Sequence, residues 1–280
     1  MTSTDPHPHP VALVVSDIDG TLVTSGKRLT AATREAVRRL SAAGIAFTVA
    51  SARPPIGLKG IAAELGLSLP MGAFNGASVV APDLSVLSET LIPAETARAA
   101  AARLTAEGVD LWVFARGQWA LRDGSAPYTD VERRTLDAEP TIVSDLSPLL
   151  EAASKIVGVS GDAGTLAALE ETMADAFRGR AVIHRSQPYY LDVTPPGIDK
   201  GGFVEAIAAR LGIAREAVAV LGDAGNDRAM FARAGLSIAM GNAEERVKAA
   251  ASRVTLANDA DGFASAVERF ILPAKRAGNP

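Results

Sequence analysis

The chain predicts an α/β fold, a doubly wound parallel sheet interrupted by an inserted α+β module. Three observations carry this. Short apolar runs rich in β-branched residues, such as Val11–Val15 and Val218–Leu221, read as strands buried on both faces, the kind parallel sheets contain. Segments with helical spacing separate those runs. The alternation stops after Pro82, and its buried-strand pattern resumes beyond residue 190. The expected organisation is therefore a tail over 1–10, a core over 11–82 and 191–280, and an insert over 83–190.

The elements follow in chain order. Val11–Val15 is the first buried strand. Thr30–Ala43 has helical spacing, with Val37 and Leu40 apolar and Glu35 four residues before Arg39. Gly44 ends that helix as a C-cap. Ile45–Val49 is a second strand, Ile56–Leu65 a helix stopped by Gly66, and Met71–Phe74 a third strand. In the insert, Ala94–Glu107 reads as a helix. Leu111–Ala115 and Trp119–Arg122 read as a hairpin turning at Arg116 and Gly117. Lys155–Ser160, a helix over Thr165–Phe177, Ala181–His184 and Tyr189–Val193 follow, and adjacent strands without crossover helices imply antiparallel pairing. Pro195, Pro196 and Gly197 form a stiff connection with one joint; this linker and the region near Pro82 are the expected hinges. Then come a helix over Gly201–Leu211, the strand Val218–Leu221, a helix over Asn226–Ala234, the strand Leu236–Met240 and a closing helix over Gly262–Ile271.

Composition excludes several function classes. Lys and Arg number 28 against 32 Asp and Glu, a net charge of −4, so a broad basic face for nucleic acid or a polybasic membrane anchor is not expected. There is no cysteine, which removes disulfides, thiolate metal sites and cysteine nucleophiles. The three histidines are His7, His9 and His184, and two of them fall in the proline-bearing tail. A histidine-based triad or a multi-histidine zinc site is not expected. No apolar run is long enough to cross a bilayer, and the expectation is a cytoplasmic protein.

In an open parallel sheet, ligands bind beyond the carboxyl ends of the strands. Asp17, Asp19 and Thr21 follow the first strand, Ser51 and Arg53 the second, Asn75 and Gly76 the third. Asp223, Asn226 and Asp227 follow Val218–Leu221, and Lys200 opens the helix before that strand. Several carboxylates converging on one rim repel one another, and a divalent cation resolves the conflict. Hard oxygen ligands suit Mg²⁺, which commonly takes one or two protein carboxylates and keeps water and phosphate as its other ligands. Lys200, Thr21 and Ser51 suit the remaining phosphoryl oxygens, since phosphoryl transfer needs positioning and charge stabilisation above all.

The string Asp17-Ile18-Asp19-Gly20-Thr21, then Ser51, Lys200 and Gly222-Asp223 with Asn226-Asp227, resembles the four signature motifs of the haloacid dehalogenase superfamily. The insert resembles the type C2b cap of its Cof-like group, subfamily IIB. Asn75-Gly76-Ala77, Pro195-Pro196-Gly197 and Met240-Gly241-Asn242-Ala243 are similar to that group's local patterns. Ala224 stands where the family often has glycine. The resemblance spans residues 11–272 and implies a Rossmann-like core. It further implies an Mg²⁺-dependent phosphatase that hydrolyses a small phosphorylated metabolite through an aspartyl-phosphate. Asp17 would be the nucleophile and Asp19 the general acid and base. Asp17, the Asp19 backbone carbonyl and Asp223 would hold the metal. Ser51 and Lys200 would grip the phosphoryl group, and Asn226 and Asp227 would steady the site.

Each residue also has a plainer reading. An acid after a strand is commonly a helix N-cap, a lone Ser51 a turn residue, and a lone Lys200 a surface lysine. The company of Thr21, Lys200 and Asp223 promotes the acids Asp17 and Asp19, the position after the second buried strand promotes Ser51, and motif order alone promotes Lys200. Arg53 and Asn75 are read as substrate contacts, against an ion pair and a turn respectively. In the insert, Trp112, Trp119, Tyr189 and Tyr190 read as core, and His184, Arg185, Arg116 and Arg122 as surface as much as ligand groups. Two alternatives stay open at this level. One is a phosphomutase of the same fold, and the other is a phosphate-binding regulatory protein without turnover.

Overall fold

The computed structural model describes residues 9–273. Most of the expected tail, including His7, lies outside the described residues. The chain divides into two compact units. The first takes residues up to Ala52, Ile61–Ser85 and the stretch from Asp199 onward. The second takes Arg53–Gly60 and Val86–Ile198.

The first half of the first unit holds β1 (Leu13–Ser16), α1 (Ala31–Ala42), β2 (Ala46–Val49), β3 (Met71–Ala73) and β4 (Ser78–Val80), with α2 (Lys59–Leu65) running into it from Lys59. The Thr30 side chain caps α1 by accepting from the Thr33 amide at 3.0 Å. The second unit contains β5 (Val86–Glu89), α3 (Ala94–Ala106), β6 (Asp110–Ala115), β7 (Gln118–Leu121), α4 (Thr129–Leu136), β8 (Thr141–Ile142), α5 (Ser147–Leu150), β9 (Ala153–Val159), α6 (Ala163–Ala176), β10 (Val182–Gln187) and β11 (Tyr190–Thr194). The chain then returns through α7 (Lys200–Leu211), β12 (Val218–Gly222), α8 (Arg228–Phe231), β13 (Leu236–Ala239), α9 (Glu245–Lys248), β14 (Arg253–Val254) and α10 (Gly262–Ala266).

The first unit is built on a five-stranded, all-parallel sheet in the order β14-β13-β12-β1-β2. The chain leaves β1 toward β2 on one side and later fills the other side with β12, β13 and β14. The boundary between β1 and β12 is thus the point where strand order reverses, the place at which open parallel sheets generally bind ligands. On one face Leu13, Val15, Val218 and Val220 pack with Phe203, Val204 and Ile207 of α7 and Met230 and Phe231 of α8. On the other, α1 meets α10, and Phe47 sets its ring edge-on to Phe263 at 5.7 Å.

Two expectations change. The third strand forms over Met71–Ala73 and runs parallel to the end of β2 through one bridge, Ala50 to Gly72, but its main partner is β4, antiparallel, so it stands outside the five-stranded sheet. Phe74 and Asn75 take φ of 48° and 58°, which turns the chain into a hairpin instead of a crossover. The return to the first unit falls at Asp199, not at 191, because β11 pairs with β9 and β10 and so belongs to the second unit's sheet.

That sheet has six strands, β10-β11-β9-β6-β7-β8, antiparallel except for the β7–β8 pair. The β6–β7 turn uses left-handed Arg116 and Gly117 at φ 53° and 73°, as a tight two-residue hairpin requires. Leu111, Val113, Ile156, Leu191 and Val193 pack under Ala97, Ala100 and Leu104 of α3 and Leu166, Leu169 and Met173 of α6. On the opposite face Trp112 contacts Trp119 and Tyr190 edge-on, at 5.3 and 5.0 Å. Lys155 pairs there with the buried Asp192 at 2.6 Å.

Candidate active site

β1 and β12 run in register, with Ser16 opposite Leu221, and the Asp17 amide extends the pairing by donating to the Leu221 carbonyl at 2.9 Å. This puts Asp17 and Asp223 at neighbouring strand ends although 206 positions separate them (223 minus 17). Lys200 reaches the same place from the first turn of α7. The Asp199 side chain caps that helix by accepting from the Gly202 amide at 2.8 Å, which orients its first residue. Gly201 lets α7 approach α8, since a Cβ there would lie 2.3 Å from the Ala229 carbonyl oxygen.

The Lys200 ammonium lies 2.6 Å from Asp17 Oδ1 and 2.6 Å from Asp227 Oδ1. All three side chains are buried: Lys200 is 1% exposed, Asp17 4% and Asp227 0%. The second oxygen of Asp227 accepts from the backbone amides of Asp223 and Ala224, both at 2.9 Å. Asp227 therefore fixes the loop that carries Asp223. Gly222 makes this possible, because a Cβ there would overlap the Asp227 side chain at 2.4 Å.

Asp223 is held from three directions. Thr21 Oγ1 donates to its Oδ1 at 3.1 Å, and Asn242 Nδ2 donates to its Oδ2 at 3.2 Å. Gly20 lies against it with φ +82°, and a Cβ on Gly20 would sit 2.2 Å from Asp223 Oδ2. Asn242 also donates to the Gly20 carbonyl at 2.9 Å and accepts from the Asn258 amide at 3.0 Å.

Asp17, Asp223 and Asp227 bring carboxylate oxygens within 4.8 Å of one another. Fully ionised, three carboxylates against one ammonium would leave two negative charges uncompensated, which suits a divalent cation. Burial, reinforced by the nearby Asp227, pushes Asp17 up to about 8 despite the opposing pull of Lys200. Burial and Asp227 likewise raise Asp223 to about 6. Lys200 is shifted upward: Asp17 and Asp227 outweigh the burial that opposes its charge. The donor set therefore fits a metal. With Asp227 committed to Lys200 and two amides, Asp17 and Asp223 are the carboxylates left to hold it.

The other residues singled out from the sequence fall into two groups. Ser51 is buried at the end of β2, its carbonyl accepts from the Asn75 amide at 2.8 Å, and Asn75 Oδ1 accepts from Asn226 Nδ2 at 3.0 Å. These three thus connect the exits of β2, β3 and β12. Gly76, at φ +97°, lets this loop lie on α7, since a Cβ would meet the Asp199 carbonyl oxygen at 3.3 Å. The Asp19 carboxylate lies close enough to raise both Asp17 and Asp223 by its charge, and it pairs with Lys27 at 2.6 Å. Arg53 belongs to the second unit, where it donates to the Gly57 carbonyl at 3.2 Å. Asn242 was legible only as part of a local pattern. Lys27 and the conformation of Gly20 had no sequence signal that assigned them to the site.

A family model described as haloacid dehalogenase-like hydrolase matches residues 14–267. The HMP-PP phosphatase of Cronobacter sakazakii is 28% identical over 228 residues, covering 81% of this chain and 83% of that one. The crystal structure of a haloacid dehalogenase-like hydrolase from Bacteroides thetaiotaomicron superposes with a TM-score of 0.86 at 31% identity, over 92% of this chain and 99% of the other. The structure of a subclass IIB sugar phosphatase superposes with a TM-score of 0.80 at 25% identity, over 92% and 98%. No helix among the described residues is long and apolar enough to cross a membrane.

Proposed function

The chain belongs to the haloacid dehalogenase-like hydrolases and is a phosphatase, and we propose that it hydrolyses a small phosphomonoester with Asp17 as nucleophile and Mg²⁺ as cofactor. The observation that carries this is the buried Lys200 ammonium, shared at 2.6 Å by Asp17 and Asp227 beside Asp223.

Asp17 is the attacking group in this reading. Its carboxylate oxygen forms a bond to phosphorus as the bond to the leaving oxygen breaks. Lys200 keeps Asp17 oriented and contributes positive charge where the phosphoryl oxygens gather. Asp19 supplies a proton to the departing oxygen. It then accepts one from the water that attacks phosphorus and releases phosphate, restoring Asp17. Mg²⁺, held by Asp17 and Asp223 with the Asp19 backbone carbonyl, would neutralise charge on the phosphoryl group. Thr21, Ser51, Asn75, Gly76 and Asn226 are assigned to the phosphate and substrate side, and Arg53 to substrate binding. The first unit carries the chemistry, and the second acts as the cap that selects the substrate. A sugar phosphate is the favoured class, since the subclass IIB relative acts on one.

A phosphate-release screen over sugar phosphates, nucleotides and phosphorylated cofactors tests the reading. The purified chain should release phosphate from some of them with Mg²⁺ and none with a chelator, while Asp17→Asn should be inactive on all. Full activity in Asp17→Asn would overturn the nucleophile. Isomerisation of a sugar 1-phosphate without phosphate release would replace hydrolysis with mutase chemistry.

A further inference from the structure

We propose that Lys27 is a positioning residue that holds the Asp19 carboxylate in place for proton transfer. The inference rests on the assignment of Asp19 as the acid and base.

Lys27 sits in a hairpin that follows the Asp17–Asp19 loop. The Thr24 amide donates to the Arg28 carbonyl at 3.0 Å, and the Lys27 amide donates to the Thr24 carbonyl at 2.9 Å. This closes a three-residue loop, Ser25-Gly26-Lys27, whose third position is left-handed. Glycine is the residue that takes such a position without penalty. The chain has a glycine in the loop, but it lies one place too early. Gly26 is not among the positive-φ residues, whereas Lys27 has φ 59°. The loop thus accepts backbone strain at the residue whose ammonium lies 2.6 Å from Asp19 Oδ1. Strain retained at a particular side chain points to a use for that side chain.

The hairpin is also anchored. The Ser25 amide donates to Asp259 Oδ1 at 2.8 Å, Asn258 Nδ2 donates to the Val23 carbonyl at 3.0 Å, and Thr30 Oγ1 donates to Asp261 Oδ1 at 2.7 Å. The 258–261 segment therefore fixes where the Lys27 backbone stands. Asp19 needs such a restraint. Its side chain is 32% exposed, unlike the buried Asp17, so packing alone does not select its rotamer. An exposed ion pair adds little to stability, yet it suffices to choose one orientation of a short carboxylate.

Two substrates of similar shape separate this role from others: phenyl phosphate, whose leaving group needs a proton, and p-nitrophenyl phosphate, whose leaving group needs it far less. Lys27→Met should lower kcat/KM for phenyl phosphate by roughly tenfold or more, with a much smaller fall for p-nitrophenyl phosphate. Lys27→Arg should restore most of the loss. Lys27→Gly relieves the left-handed strain, so it should melt at the same or a higher temperature than wild type while losing activity as Lys27→Met does. Equal losses on both substrates, no loss on either, or no rescue by arginine would each overturn the inference. Asp19→Asn distinguishes its failure from that of the underlying assignment. An inactive Asp19→Asn beside an unaffected Lys27→Met rejects Lys27 alone. An active Asp19→Asn rejects the acid assignment and the role of Lys27 with it.

Discussion

Lys200 and Asp17 form an ion pair at 2.6 Å with almost no access to solvent. Asp227 accepts from the same ammonium, so one lysine compensates two carboxylates that would otherwise repel each other in a buried place.

Removing that lysine exposes its double duty. Lys200→Met leaves Asp17 and Asp227 facing each other without a counter-charge, and breaking a buried pair from one side costs about 3–5 kcal/mol. Urea denaturation should show a loss of that size, and phosphate release should fall to background. A stable but inactive variant would mean that Lys200 serves chemistry alone.

The pH response follows from the raised Asp17 and Asp223. In the metal-free protein the folded state holds protons that the unfolded chain releases near the ordinary carboxylate value of 3.8. Folded stability from these groups is present at low pH and is lost as pH rises through about 6 for Asp223 and about 8 for Asp17. If Asp17 and Asp223 hold Mg²⁺ as proposed, both must be ionised, so its binding competes with those protons. The rise in melting temperature on adding Mg²⁺ should therefore be larger near pH 8 than near pH 5.5, roughly the two ends of the window the shifts define. Asp17→Asn should flatten the metal-free profile. A Mg²⁺ shift that does not grow with pH would contradict this account.

Gly20 tests how closely Asp223 is held. Gly20→Ala places a Cβ 2.2 Å from Asp223 Oδ2 at a φ of +82°. The left-handed backbone alone costs an L residue roughly 1–2 kcal/mol, and the carboxylate must move. The Mg²⁺ concentration for half-maximal activity should rise roughly tenfold, while circular dichroism shows a folded protein.

Asn242 supports the same carboxylate without replacing it. Asn242→Ala removes the donors to Asp223 Oδ2 and the Gly20 carbonyl and the acceptor for the Asn258 amide. Loss of such a support commonly weakens metal binding roughly tenfold. Metal titration of activity should show that change, with substrate KM at saturating Mg²⁺ much less affected.

The sequence by itself determined a set of candidate residues and the strand ends and helix start on which they stand. Buried strands announce themselves as short β-branched runs, and Asp17, Ser51 and Asp223 could be located at strand ends because a run of apolar residues must stop where polar chemistry begins. The motif order then implied the nucleophile, the acid and the lysine. Three-dimensional packing decided the rest. Met71–Phe74 read as a third strand; its parallel contact with the end of β2 is one bridge, and left-handed Phe74 and Asn75 send the chain straight back as β4, since a backbone angle is not written in an apolar pattern. The boundary moved to Asp199 because strand pairing, which is non-local, claimed Tyr190–Thr194. The contacts behind the division of labour among the acids were also invisible in one dimension. All four sit in similar strings, but only the fold commits Asp227 to Lys200 and two amides, leaves Asp17 and Asp223 as the carboxylates of the triad that could hold a cation, and pairs Asp19 with Lys27. Hydrogen-bond partners depend on distance, and distances between residues some 200 positions apart exist only once the chain has folded.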